Sequence, residues 1–258
     1  MESSSPAPQV IQPMGIGGVL DAGLALARRN YSVFVRTTAY AVVPAYVLGA
    51  IVALLLGSGS ASSTILSIGT AFAGLALVIA CAHEIAPTGQ LNELQPGALY
   101  SVAWSRVGRV ILFVIMAIIL AIPLTILFPL GIYLGVRWAM AWNALVIEGL
   151  GPIASLRRSW SLTRGSWWHT LGVGIVAAIL VGLVAFVVGF IFGAIGAVLI
   201  FSGSPVVGTI ITNLGSAVGT IFVVPFATAI SVVLFYELRA RSEGLDLVNR
   251  ANQTPGIA

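Results

Sequence analysis

Long apolar runs constrain this chain more than any other feature. A helix needs about 20 mostly apolar residues to cross the hydrocarbon core of a bilayer. Apolar residues make up 59% of the 258 residues and charged residues only 8%, against about a quarter charged in soluble proteins. We therefore predict an all-α polytopic membrane helical bundle with six transmembrane helices. The predicted spans are residues 37–56, 64–86, 110–128, 131–147, 168–201 and 208–236.

The spans define one membrane domain, predicted over residues 15–240. Residues 1–14 contain no Lys or Arg and no apolar core. They do not resemble a cleavable signal peptide, so we predict a disordered N-terminal tail. Residues 241–258 are predicted to form a C-terminal tail.

The arginines are distributed unevenly along the chain. Eleven of the twelve flank the predicted spans on one side, while the joints at 57–63, 129–130 and 202–207 carry no charge. The positive-inside rule makes the arginine-bearing side cytoplasmic. We therefore expect a multi-pass protein of the cell (inner, cytoplasmic) membrane with both termini in the cytoplasm.

A short amphipathic stretch precedes each odd-numbered predicted span. In the third stretch, Arg157, Ser161 and Arg164 line one face at helical spacing. The opposite, apolar face comprises Ile153, Leu156, Trp160 and Thr163. Helices of this kind lie in the headgroup layer, so we expect cytoplasmic-side interfacial helices. Two interpretations stay open: three repeated units of interfacial helix plus helical hairpin, related by pseudo-threefold symmetry, or loops that are basic and aromatic for topological reasons alone.

The basic and aromatic residues of these stretches are candidate contacts for lipid headgroups, because Trp and Arg favour the membrane interface. The expected partners are membrane lipids, mainly anionic, with a protein partner or a homo-oligomer as further possibilities and no nucleic acid. The candidate headgroup contacts are Arg28, Arg29, Arg157, Arg158, Arg164, Trp160, Trp167 and Trp168.

The last two predicted spans are longer than a bilayer requires, so we expect them to tilt, protrude or break at a glycine. Gly189 and Gly193 have the small-xxx-small spacing that permits close helix packing. Packing within the chain explains this pair more readily than a dimer interface does.

Arg137 is the one arginine inside a predicted span. Inserting an arginine near the bilayer midplane costs about 2.5–3.5 kcal/mol of free energy on insertion scales, so its side chain needs polar partners. Arg137, Asn143 and Glu148 form a candidate intramembrane polar site, although Arg137 and Glu148 are about 16 Å apart along the helix. The alternative is that Arg137 extends to the interface or binds backbone carbonyls freed near Pro123 and Pro129.

Signatures of enzymes and metal sites are missing from the sequence. There is no phosphate loop and no nucleophile elbow. His83 and Glu84 lack the HExxH spacing, and the only other histidine is His169. Cys81 is the single cysteine, so no disulfide forms within the chain. We expect no cofactor, no metal and no enzymatic activity.

The segment RWAMAWNALVIEGLGPIASLRRSWSLTRGSWWHTLGV, residues 137–173, resembles the signature of the glycerophosphoryl diester phosphodiesterase membrane-domain family. The stretch LDAGLALARRNYSVF is similar to the N-terminal helix of that family. The resemblance implies a polytopic membrane module. No segment outside the predicted spans is long enough for the soluble phosphodiesterase domain, so phosphodiesterase activity is not expected here.

The sequence leaves two leading hypotheses for the function. The first is a non-catalytic membrane module that organises lipid or protein partners through its basic cytoplasmic face. The second is a small transporter or lipid-translocating protein that uses Arg137 in a polar cavity. An enzyme acting at the membrane interface ranks third.

Overall fold

A computed structural model of the protein describes residues 13–56, 59–85, 95–126 and 128–243, without the side chains of 59 and 121–129. Over these ranges the chain forms ten α-helices and no strand, which confirms the predicted all-α fold. The helices are α1 (Ile16–Arg29), α2 (Tyr31–Leu56), α3 (Gly59–Ile85), α4 (Pro96–Trp104), α5 (Val107–Ile126), α6 (Phe128–Trp138), α7 (Ala141–Ile147), α8 (Pro152–Leu162), α9 (Trp167–Phe201) and α10 (Pro205–Glu243).

Parts of several predictions fall outside these ranges. They are residues 1–12 and 244–258 of the two predicted tails, Arg250, the joint residues 57–58, and Ala86 at the end of the second predicted span.

Five helical stretches are long and apolar enough to cross a membrane. They are Tyr31–Leu56, Ser60–Ile85, Leu130–Ile147, Trp167–Phe201 and Pro205–Glu243. A sixth is present if Pro96–Trp104 and Val107–Leu120 count as one span, bent by 63°. The structure thus supports a protein with several membrane-spanning helices, and the number six stays a prediction.

Three helices occupy the centre of the bundle, one from each predicted pair of spans. α3, α7 and α10 contact one another. α2 packs against α3 and α10, α9 packs along α10, and α5 leaves most of its length exposed. Each short helix packs on the central helix of another pair: α4 on α3, α8 on α7, and α1 on α10. Each of the three central helices therefore carries one short helix that belongs to a different pair of spans.

α1 continues the direction of α2 rather than lying across the bundle. Together they run antiparallel to α10, with contacts in reverse order along the two partners: Met14 with Glu237, Gly23 with Ile230, Tyr31 with Phe226, and Tyr46 with Ile210. A Cβ atom at Gly23 would lie 2.7 Å from Ile230 Cα, so only glycine permits this approach. The buried face of α1 includes Leu20 and Ala27.

The long helices α9 and α10 form an antiparallel hairpin turned at Gly203, whose φ is +92°. α9 runs unbroken over 35 residues, so it does not break at a glycine. The close approach lies near the turn, where a Cβ at Gly208 would lie 2.5 Å from the Gly196 carbonyl oxygen. A Cβ at Gly189 or Gly193 would meet no atom of another helix within 4 Å, so this pair does not mediate packing between the helices that the structure describes.

The larger apolar core lies at one end of the bundle, where α3, α7 and α10 have their C-termini. It is built from residues 75–82 of α3, 144–146 of α7 and 229–238 of α10, with α1, α4 and α8 contributing side chains. The described arginines also belong to the elements that meet here, so we call this end of the bundle the basic end.

Candidate functional site

The three central helices each bring a glutamate to the basic end: Glu84 in α3, Glu148 just after α7, and Glu237 in α10. Arg29 donates to Glu84 Oε2 at 3.0 Å, and Asn30 donates to the same oxygen at 3.0 Å. The other two glutamates are also in ion pairs. The carboxylates therefore tie the central helices to the elements around them.

Glu148 belongs to a network that joins α7, α8 and α10. Arg158 Nε lies 2.9 and 3.0 Å from the two oxygens of Glu148, and its Nη2 lies 2.8 Å from Oε1. Arg158 also pairs with Glu243, which accepts from Arg239 at 2.9 Å. The hydrogen bonds with Glu148 raise the pKa of Arg158 above its ordinary value, so the guanidinium stays charged.

Glu237 is fully buried and holds the start of α1 against α10. Its Oε1 accepts from the backbone N–H of Met14 at 3.1 Å and pairs with Arg241 one turn later. His169, in the first turn of α9, places Nε2 3.4 Å from the other oxygen of Glu237. A fully buried carboxylate needs such partners because its desolvation is unfavourable.

The structure does not bring Arg137, Asn143 and Glu148 together. Arg137 donates from Nε and Nη2 to Tyr133 Oη at 3.1 and 3.0 Å. Asn143 instead donates to Ser231 of α10, and Glu148 pairs with Arg158. The three residues predicted as one polar site therefore serve three separate contacts.

Arg137 lies among aromatic rings rather than among charges. Its guanidinium carbon is 5.2 Å from the ring centre of Tyr133 and 5.0 Å from that of Trp160 in α8, within the range of cation–π contacts. Trp167, the first residue of α9, donates to the Tyr133 carbonyl oxygen at 3.3 Å. Arg137 therefore sits level with the first turn of α9, the most apolar helix.

A break in the helix immediately after Arg137 is closed by α8. The helix stops at Trp138 and restarts at Ala141. Ser159 Oγ donates to the Arg137 carbonyl oxygen at 2.7 Å and accepts from the Met140 N–H at 3.1 Å. The buried face of α8 is thus formed by Ser155, Ser159, Leu162 and Thr163, because backbone groups freed by a break need partners.

The apolar residues predicted for one face of α8 divide between protein and surroundings. Ile153 is 63% and Trp160 39% exposed, while Thr163 is buried. Arg157, Ser161 and Arg164 are exposed on the predicted polar side. The helix therefore buries its hydroxyl groups in the protein and leaves large apolar side chains and arginines outside.

Two cavities open near these elements. An apolar one of about 300 Å³ lies between α1, α9 and α10, lined by residues such as Leu24, Val184 and Phe226. A polar one of about 510 Å³ lies between the start of α5 and the end of α7 and is lined by Arg106, Arg109 and Glu148. Arg137 lines neither cavity, so these cavities do not support its proposed role in transport.

Most arginines of the described chain are not paired with acids. Four of them contact a carboxylate within 4 Å: Arg29, Arg158, Arg239 and Arg241. Within the ranges described, the rest have no carboxylate at that distance: Arg28, Arg36, Arg106, Arg109, Arg137, Arg157 and Arg164. The indoles of Trp104 and Trp168 are 70% and 78% exposed. The basic end thus presents unpaired guanidinium groups beside exposed tryptophans.

The candidate headgroup contacts divide into two groups. Arg28, Arg157 and Arg164 are exposed and have no carboxylate within 4 Å among the described residues. Arg29, which is also exposed, and Arg158, which is partly buried, are held by carboxylates. Sequence reasoning missed the pair Arg106 and Arg109 as a site. Their three-residue spacing at the start of a predicted span was the available signal, because it places both side chains on one face of a helix. Among the described residues, no group of three potential metal ligands clusters.

Taken together, the helices and the basic end define an all-α protein with several helices long and apolar enough to span a membrane and an excess of arginine at one end of its bundle. The chain belongs to the family described as Domain of unknown function (DUF7847), which matches residues 95–238. No curated protein and no solved structure matches the chain. The family match covers α4 to most of α10 and does not connect the chain with the glycerophosphoryl diester phosphodiesterase membrane-domain family.

Proposed function

We propose that this protein is a non-catalytic integral membrane module whose basic end binds anionic lipid headgroups at the cytoplasmic face of the inner membrane. The observation that carries the proposal is the excess of unpaired arginines at one end of a membrane-spanning bundle. Each basic residue near an anionic surface contributes about 1 kcal/mol of attraction. Exposed tryptophans at the same end favour the headgroup layer.

The proposal includes six spans with both termini on the cytoplasmic side. Arg106 donates to the Val146 carbonyl oxygen, and Arg109 donates to the Gly149 carbonyl oxygen at 2.8 Å. The start of α5 therefore lies beside the end of α7, as expected if α5 leaves the basic end and α6 with α7 returns to it. The bent pair α4 and α5 would supply the sixth span.

We further propose that the three pairs of spans, each with its short helix, are repeats of one unit. The supporting observation is cyclic packing: α4 on α3, α8 on α7 and α1 on α10. Each unit would also bring one glutamate to the basic end, at Glu84, Glu148 and Glu237. Superposition of the three units, in which the glutamates should coincide, tests this part.

Lipid selectivity tests the main proposal. The purified protein is mixed in maltoside micelles with equal amounts of phosphatidylglycerol and phosphatidylcholine, and native mass spectrometry counts the retained lipids. We expect the wild type to retain phosphatidylglycerol preferentially. The triple variant Arg28→Gln, Arg157→Gln, Arg164→Gln should lose most of this preference, because all three guanidiniums are exposed and unpaired.

The matched control replaces the same three arginines by lysine. Lysine keeps the point charge that attracts an anionic surface, so this variant should retain phosphatidylglycerol as the wild type does. A wild type with no preference between the two lipids would overturn the proposal.

A further inference from the structure

Two arginines face one polar cavity at the basic end. Ser105 and Arg106 immediately precede α5, Arg109 lies in its first turn, and all three line the cavity of about 510 Å³. The opposite wall is the end of α7, with Ile147 and Gly149. Cavities of this size, about 300–1,000 Å³, are typical of small-ligand sites.

The two guanidinium groups are held in place by backbone rather than by acids. Arg106 donates from Nη1 to the Val146 carbonyl oxygen, and Arg109 donates from Nη1 to the Gly149 carbonyl oxygen at 2.8 Å. These carbonyls lie at the C-terminal end of α7, where helix carbonyls lack partners within the helix. Each guanidinium carries five N–H donors, so most donors stay available to the cavity.

Gly149 makes this arrangement possible. Its φ of +66° lies in the left-handed region that favours glycine, and a Cβ atom there would lie 3.2 Å from Arg109 Nη1. The left-handed backbone turn at Gly149 therefore presents its carbonyl to Arg109, and a side chain there would be strained and would crowd the guanidinium. The cavity is a built feature of the joint between α7 and α8.

The charges around the cavity favour an anion. Glu148 is its one acidic lining residue, and both carboxylate oxygens of Glu148 are engaged by Arg158. Arg106 and Arg109 have no carboxylate within 4 Å among the described residues. Two like charges held together repel each other, and a bound anion offsets this repulsion.

We propose that this cavity is a binding site for a phosphate group, carried by a lipid headgroup or by a free phosphate compound. Planar guanidinium groups match the geometry of phosphate oxygens. Ser105 and Arg109 are exposed, so the cavity opens at the basic end. The site deepens the proposed function, and only its lipid source rests on that function.

Arginine footprinting of the wild-type full chain tests the site without any substitution. The protein in maltoside micelles is treated with phenylglyoxal, which modifies accessible guanidinium groups, and peptide mass spectrometry measures the rate at each arginine. Sodium phosphate is compared with sodium chloride at equal ionic strength. A second arm uses nanodiscs of phosphatidylcholine, alone or with an equal amount of phosphatidylglycerol.

We expect sodium phosphate in micelles to slow modification of Arg106 and Arg109 about tenfold relative to Arg157 and Arg164, the effect of about one charge-assisted hydrogen bond gained per guanidinium. In nanodiscs, where Arg157 and Arg164 also meet headgroups, phosphatidylglycerol should slow Arg106 and Arg109 more than it slows Arg157 and Arg164. Protection by phosphate in micelles supports a site for free phosphate groups. Protection only in the phosphatidylglycerol nanodiscs supports the lipid headgroup as the source. No protection in either arm, or equal protection of all four arginines, overturns the site.

Matched variants separate the site from the general charge of the basic end. The variant Arg106→Gln, Arg109→Gln and the control Arg157→Gln, Arg164→Gln each lower the net charge of +4 by two. Only the first should weaken inorganic phosphate binding, measured by isothermal titration calorimetry, by about tenfold or more. Equal weakening in both variants overturns the site.

The outcomes also separate this site from the proposed function. Phosphate protection of Arg106 and Arg109 without phosphatidylglycerol retention would preserve the site and overturn the lipid-binding function. Phosphatidylglycerol retention without protection of Arg106 and Arg109 would preserve the lipid-binding function and overturn the site.

Discussion

Arg158 of α8 donates hydrogen bonds to Glu148 at the end of α7. Its Nε and Nη2 atoms lie 2.8–3.0 Å from the carboxylate oxygens. This pair connects two short helices that share few apolar side chains, since the face of α8 toward α7 is largely hydroxyl. Both side chains are about four-fifths buried. The pair therefore fixes the position of α8, and Arg158 is a structural residue rather than a free headgroup contact.

Arg158→Lys should destabilise the protein by about 1–3 kcal/mol, because an ammonium group cannot reproduce the two-atom contact with a partly buried carboxylate. Thermal unfolding of the purified protein in maltoside measures the change. Arg157→Lys is the control at the neighbouring position, where the side chain is exposed and has no carboxylate within 4 Å in the described chain. Equal melting temperatures for the two variants would contradict a structural role for Arg158.

Ser159→Ala should destabilise the protein by about 1–3 kcal/mol, because it leaves the Arg137 carbonyl and the Met140 N–H without their shared partner. Urea or thermal unfolding checks the expectation. Ser161→Ala is the matched control, since Ser161 is exposed and only donates to the Arg158 carbonyl of its own helix at 2.7 Å. If Ser159→Ala unfolds like Ser161→Ala, the helix break does not depend on this hydroxyl.

The sequence was sufficient to predict an all-α fold with several helices long and apolar enough to cross a membrane, because apolar runs are local properties of the chain. It was also sufficient to place Arg28, Arg157 and Arg164 on exposed faces. The position of Arg137 was not predictable in this way. Its environment depends on Trp160 and Tyr133 and on a helix break at Ala139, none of which a hydropathy profile resolves.

The ion pairs escaped sequence reasoning for a related reason. Glu84 and Arg29 are 55 residues apart, and Glu243 and Arg158 are 85 apart. Which arginines are neutralised is therefore decided by how the helix ends meet in space. The buried hydroxyl face of α8 was also missed, because Ser159 satisfies backbone groups freed by a helix break, a demand that apolar periodicity does not reveal.

Gly23→Ala should destabilise the protein by about 1–3 kcal/mol, because the new methyl group would lie 2.7 Å from Ile230 Cα and force α1 away from α10. Gly17→Ala in the same helix is the control, since a Cβ atom there meets nothing within 4 Å. Alanine favours helix by about 0.5–1 kcal/mol over glycine, so Gly17→Ala should keep or raise the melting temperature. Loss of stability in both variants would indicate that α1 tolerates no alanine for reasons unrelated to α10.

Cysteine labelling should place the joints between paired spans on the side opposite the basic end. In a Cys81→Ala background, Ser60→Cys, Leu130→Cys and Ser204→Cys each put one thiol near such a joint, and Ser161→Cys puts one on the exposed face of α8. A membrane-impermeant maleimide should label the first three from outside the cell and Ser161→Cys only in inverted vesicles, because the arginine-rich side is retained in the cytoplasm. Leu130→Cys is decisive for the number of spans. If it is labelled from the same side as Ser161→Cys, α5 does not cross the membrane, and the chain has fewer than six spans.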